Sequence, residues 1–282
     1  MSETAFMNAY RDAFIHTFER QQSVLRQRCT TECEVKGDKA YFLVAGSGGA
    51  TAVTRGANGL IPARADSNTQ LYAQLAEWHD KVVKTGFTVS ASQGNQIAIM
   101  QRTSMAVMNR KIDDLILAAL DDTTVNTGTS TTANLRLIGK AKAILGTNNA
   151  AGGSITGLIT PAFHAYLMEI PAFSNAEYVS RKPFDEGGNP DGSMPMFSWY
   201  GIDWIEHSGL SGIGTSAEKC FLFNQSAIGH ACDTGNLEST LGFDDQNKYH
   251  YVRTSMAMGA KLLQTNGVVQ INHDGSAMVA SA

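Results

Sequence analysis

The sequence predicts an α+β fold: an amphipathic N-terminal arm, an extended hairpin, one long helix, and a central region in which strands of a mixed sheet alternate with short helices. Three observations lead there. Phe6, Tyr10, Phe14 and Phe18 recur every four residues, which draws one aromatic stripe along a helix. Residues 95–120 hold neither Gly nor Pro over 26 positions, enough for a helix of about 39 Å. Between two runs of strand formers, residues 45–70 gather Gly46, Gly48, Gly49, Gly56, Gly59 and Pro62, too many breakers for a helix.

Composition narrows the function classes. The chain has 282 residues, 43% of them hydrophobic, with 22 Lys+Arg against 26 Asp+Glu and a net charge of −4. It is therefore neither disordered nor collagen-like, and bulk charge does not draw it to polyanions. The length allows one large domain or two smaller ones. Charged residues, at 17%, fall below the roughly 25% usual in soluble domains. Such a surface suits a protein that covers its outside with partners, and a monomeric enzyme with long loops fits as well. Glu3, Arg11, Asp12, Glu19 and Arg20 interrupt any secretory core, so no export signal is expected. The apolar run 115–120 is far short of the ~18 residues that span a bilayer. Four cysteines without a signal read as reduced thiols, not a disulfide framework.

Taken in order, the aromatic arm is followed by Val35, Tyr41, Phe42, Leu43 and Val44 around a Lys36-Gly37-Asp38 turn, a strand or hairpin signal. The glycine-rich stretch is then a loop of about 25 residues, uncommon in a compact domain unless functional. Leu71–Val89 reads as the return strand of a long hairpin. The long helix presents Ile97, Met100, Met108, Ile112, Leu115 and Ala119 on one face. A Thr/Ser/Gly stretch through Thr132 looks like a linker. Asn134 can cap a helix running to Leu145, and Pro161 can open one over 162–168. Strands are expected at Ile155–Ile159, Tyr200–Glu206 and Cys220–Phe223, a short helix at Gln225–Cys232, and antiparallel closing strands over 248–273.

Motifs for chemistry are looked for and not found. Tyr41–Gly49 enters a glycine loop like a dinucleotide site, but Thr51 stands where the third glycine belongs and the breakers that follow forbid the helix such a site needs. No P-loop, G-x-S-x-G elbow, H-E-x-x-H or EF-hand pattern occurs, and the cysteines lack zinc spacing. Arg102, Arg110 and Lys111 are followed at once by Asp113 and Asp114, as on a solvated helix face. No catalytic residue, cofactor or metal is expected.

Met108–Leu120 at the end of the long helix, Ser226–Ala231, and Gly259–Leu263 before Gly267–Ile271 complete a pattern that spans nearly the whole chain. In its order of elements it resembles the major capsid proteins of tailed bacteriophages, the Hong Kong 97-type fold. The resemblance implies an arm over 1–30, an extended loop with the start of a peripheral subdomain over 31–91, a spine helix over 92–124, a central subdomain over 125–240, and return strands over 241–282. Subunit-interface contacts are then expected at Phe6, Tyr10, Phe14 and Phe18 on the arm. On the loop they are expected at Gly46, Gly48, Gly49, Arg55, Gly56, Gly59 and Arg64. The covalent subunit cross-link of the family's prototype uses a loop lysine, and no Lys stands between Lys39 and Lys81, so none is expected here. About 30 residues precede the first strand, which implies a separate scaffolding protein. The expected function is a capsid shell of hexamers and pentamers in the virion, assembled in the host cytoplasm with scaffold and portal around non-specifically held double-stranded DNA. Its rivals are an encapsulin-like nanocompartment shell and a soluble α+β enzyme whose lid is the glycine-rich loop.

Overall fold

The computed structural model describes residues 22–31, 33–55, 58, 59, 61, 63, 64, 66–91, 96–174 and 196–278. The aromatic stripe Phe6, Tyr10, Phe14 and Phe18 lies outside them, as does Gly56. In chain order come β1 (Glu34–Lys36), β2 (Lys39–Gly46), β3 (Ser67–Gln74), β4 (Ala76–Thr85), α1 (Gly86–Ala91) and α2 (Gln96–Asp121). Then follow α3 (Leu135–Thr147), β5 (Ile155–Ile159), α4 (Pro161–Met168), α5 (Pro171–Ser174), β6 (Met196–Trp199) and β7 (Ile202–Glu206). Last are β8 (Glu218–Asn224), β9 (Ile228–Asp244), β10 (Tyr249–Leu262) and β11 (Val268–His273).

The strands form three sheets, in the orders β1-β2-β3, β4-β10-β9 and β11-β8-β5-β7-β6. In the five-stranded sheet only β5 and β7 run parallel, joined through α4 and α5. Every residue of β5 is buried, because the sheet is covered on both faces. On one face Ile155, Ile159, Trp204 and Leu222 pack with Leu137, Ile138, Phe163 and Phe173 of the helices. On the other, Leu158, Ile205, Phe221 and Phe223 pack against Met108, Ile112 and Ile116 of α2. That second core also takes in Leu25 and Cys29 from the arm's end and Met256 and Met258 from β10, so the long helix joins the central sheet to the outer one.

Local chemistry accounts for the helix ends. Asn134 Oδ1 accepts from Leu137 N at 2.8 Å and Thr160 Oγ1 from Phe163 N at 3.2 Å, while Pro161 fills the first turn of α4. The expected linker is in fact pinned along β11, with Thr127 N donating to Gln270 O at 2.9 Å.

Four expectations change. The helix over Gln225–Cys232 is absent: Gln225–Ala227 is one 3-10 turn and β9 begins at Ile228, because pairing with β10 overrides a weak helical spacing. Leu71–Val89 is not one strand. β3 ends at Gln74, β4 pairs with β10 instead of β2, and Gly86 opens α1. Tyr200 and Gly201 are the left-handed turn between β6 and β7, at φ 58 and 70, so that strand starts at Ile202. The closing strands divide: β10 lies in the outer sheet and β11 beside β8 in the central one, and β9 runs across residue 240.

Candidate assembly surfaces

The hairpin of β2 and β3 pairs from Lys39↔Gln74 to Gly46↔Ser67. Its base is buried at Ala40, Phe42 and Ala73, while its far half is largely exposed on both strands. From 47 to 66 the described residues add no strand. Ala50 N donates to Ser47 O at 3.2 Å across Gly48 and Gly49, whose φ values of 63 and 76 favour glycine at both positions. Gly46 closes β2 and Gly59 follows in the loop. Arg55 is exposed, and Arg64 Nη2 donates to Asp66 Oδ1 at 2.6 Å in an open pair. Six of the residues singled out from the sequence, Gly46, Gly48, Gly49, Arg55, Gly59 and Arg64, thus belong to one hairpin and its loop.

The apolar residues there were passed over. Leu43 is 74% exposed, Val53 63% and Ile61 69%, and Phe87 on α1 is 81% exposed. Each leaves in water a side chain whose burial is worth roughly 1.5–3 kcal/mol. Apolar groups gathered on one loop mark a partner surface. A signal existed, since Val53 and Ile61 stand in a run of Gly, Ala and Thr where no local core could take them. Between the hairpin base and the outer sheet, a cleft of about 520 Å³ is lined in part by Asp38, Glu77, Asp233 and Glu238.

The arm's end is held at a buried carboxylate. Asp113 of α2 is fully buried; it accepts from Ser23 Oγ at 2.6 Å, Val24 N at 3.4 Å and Leu25 N at 3.3 Å. His207 follows β7, and its Nδ1 accepts from Gly209 N at 3.0 Å. The ring proton is therefore on Nε2, which faces Asp113 Oδ2 at 3.5 Å. Burial alone would raise the Asp113 carboxyl pKa. Hydrogen bonds from His207 and Ser23, helped by the His207 charge and the Leu25 amide, outweigh it and hold the pKa below the usual carboxylate value. Beyond Leu25 the chain lies along β9: Thr30 N donates to Ile228 O and His230 N to Thr30 O, both at 2.9 Å. His230 is buried with no hydrogen-bond partner for either ring nitrogen. Burial first, then the nearby Arg26 charge, push its pKa down to about 4, against an opposing pull from Asp113.

A second buried network serves the central sheet. Glu218 accepts from Thr160 Oγ1 at 2.6 Å and Gly214 N at 2.7 Å, and its Oε2 lies 2.7 Å from His273 Nδ1. Thr160, Glu218 and His273 are all buried, so the three tie the start of α4, β8 and β11 together away from solvent. Among the described residues, no cluster of three or more His, Cys, Asp or Glu is placed to hold a metal. No helix among them is long and apolar enough to cross a membrane.

Comparison with known proteins now decides the class. A phage capsid protein family model matches residues 3–275. The chain belongs to that family. This phage capsid protein is similar in fold to a solved structure from Mycobacterium phage Che8, with a TM-score of 0.69, 17% identity, and 93% of this chain and 95% of that one covered. It is likewise similar to the capsid of Ralstonia phage GP4, at a TM-score of 0.66 and 11% identity over 93% of each chain. A gene transfer agent capsid, described as an empty GTA particle, matches at 0.67 and 11% identity over 96% and 97%. No curated protein matches the chain at a significant level. The α+β architecture of this capsid protein is that of the Hong Kong 97-type fold, and its role is that of a major capsid protein, a self-assembling structural component of the virion. Neither the nanocompartment nor the lidded enzyme is favoured by these matches.

Proposed function

We propose that the subunit builds hexameric and pentameric rings of an icosahedral head around double-stranded DNA, in the host cytoplasm, with a separate scaffolding protein and a portal as partners and without a catalytic role. The observation that carries this reading is the hairpin and its loop. Leu43, Val53 and Ile61 are exposed there with no described core to cover them, and a neighbouring copy supplies the missing cover. Gly46, Gly48, Gly49, Arg55, Gly56, Gly59 and Arg64 form this contact, with Arg55 and Arg64 opposite in sign to the cleft of Asp38, Glu77, Asp233 and Glu238. Rotational symmetry repeats the contact around each ring, which makes a weak pairwise gain cooperative. The arm stripe of Phe6, Tyr10, Phe14 and Phe18 adds a second contact, to the long helix or to an adjacent subunit. The division into arm, extended loop, spine, central subdomain and return strands follows from the same reading.

Deleting Ser47–Asn58 tests it. The cooperative fold should survive, by circular dichroism and thermal unfolding, while electron microscopy finds no particles. Intact shells from the deletion would overturn the reading, and so would loss of the folded subunit, because either outcome removes the separation between folding and assembly.

A further inference from the structure

Four cysteines are free, and the fold treats them differently. Cys29 and Cys220 are buried, whereas Cys33 and Cys232 are partly exposed. The latter two are 199 residues apart in sequence, but the arm's end brings them together. Thr30 bridges Gly229 in parallel, fixed by the two backbone hydrogen bonds on either side of it. Carried forward three residues on both chains, that register sets Cys33 beside Cys232. Parallel neighbours in register stand about 4.8 Å apart with their side chains on one face, inside the Cα separation of about 4.4–6.8 Å that a disulfide spans. The opposite edge of β9 is occupied, since Cys232 pairs with Met258 of β10, so the sulfur meets Cys33 from the open side.

Two further observations agree. The Cys33 pKa is raised by partial burial and then by the charge of Cys232, an influence that needs the two sulfurs to be near neighbours. Arg26 Nη2 donates to Cys232 Sγ at 3.2 Å, which steadies the sulfur and offers positive charge to the thiolate that must form before exchange.

We infer that Cys33 and Cys232 close an intrasubunit disulfide when the protein passes from a reducing to an oxidising environment, stapling the base of the hairpin to β9. The oxidant is a low-molecular-weight disulfide such as oxidised glutathione. The Cys232 thiolate attacks one of its sulfurs, forming a mixed disulfide and releasing one small thiolate. The Cys33 thiolate then attacks Cys232 Sγ and expels the second. Two protein thiols are oxidised, one small disulfide is reduced to two thiols, and the two protons pass to solvent. The closed loop contains the hairpin, the long helix and much of the central sheet, and a loop of that length strongly restricts the unfolded chain. The inference concerns the single subunit and stands whether or not shells form.

The full-length protein incubated with oxidised glutathione provides the test, read by intact mass, non-reducing peptide mapping and thermal unfolding. The expected result is loss of two hydrogen atoms, one cross-linked peptide joining Cys33 to Cys232, monomers on a non-reducing gel, and a higher unfolding temperature that reverts on reduction. Cys33→Ser and Cys232→Ser should each abolish the increment. Full alkylation of both thiols after oxidation would overturn it. Disulfide-linked dimers, or a persistent glutathione adduct on either cysteine, would overturn it equally. Peptide mapping of the unsubstituted protein decides the matter even where a serine variant fails to fold.

Discussion

Asp113 works as an acceptor for a chain end. The two backbone amides and the serine hydroxyl that meet it come from Ser23, Val24 and Leu25, and only His207 approaches from the central subdomain side. An amide in its place would turn one acceptor into a donor facing donors. Asp113→Asn is therefore expected to cost on the order of 1–3 kcal/mol and to speed proteolysis between 22 and 31; unchanged melting and an uncut arm would contradict the role. The same junction sets a pH dependence. His230 has a folded pKa of about 4, below its ordinary 6.5, so its contribution is whole above 6.5 and is lost as pH falls from about 6.5 towards 4, by on the order of 3 kcal/mol. Asp113, also lowered, contributes above its ordinary value and loses that contribution as pH falls through its folded pKa. Both groups therefore weaken the fold on acidification. His230→Phe replaces an unpartnered polar ring by an apolar one, so it should leave stability near neutrality unchanged or raised and flatten the decline between pH 6.5 and 4. An unaltered acid profile in that variant would assign the decline elsewhere.

Among the elements, Gly229 is where the hairpin meets the outer sheet. A Cβ there would stand 2.7 Å from the ring of Phe42, itself buried at the hairpin base. Gly229→Ala should tilt the hairpin off β9 and lower particle yield more than subunit stability, with a cost of about 1–3 kcal/mol for the overpacking. Equal yield, scored by sedimentation of assembled material, would show the hairpin's seat to be unimportant. The elements also show what was legible beforehand. The long helix was readable because propensity, the absence of breakers and the apolar face of Met100, Met108 and Ile112 all agree. The hairpin was readable from Gly37 and the glycines beyond Gly46. The stretch 225–232 was misread because the determinant of β9 lies outside it, in β10 and Thr30. Asp113, His207 and His230 come from three separate parts of the chain, and no spacing rule joins them. The exposed Leu43, Val53 and Ile61 were equally illegible as a group, since exposure depends on what the fold leaves uncovered.

At the scale of the whole molecule, a net charge of −4 offers packaged DNA few phosphate contacts. Free subunits should bind duplex weakly, without sequence preference and with a shallow salt dependence; tight selective binding in a mobility-shift titration would contradict this. Low surface charge and an uncovered apolar hairpin have one common explanation, that the subunit's outside becomes an inside on assembly. Cryo-electron microscopy of material produced with the full-length chain tests that most directly. The expected result is closed icosahedral particles containing nucleic acid, with residues 47–66 of each subunit lying on a neighbouring subunit. Particles in which that loop folds back on its own subunit, or preparations holding only monomers and small oligomers, would contradict it.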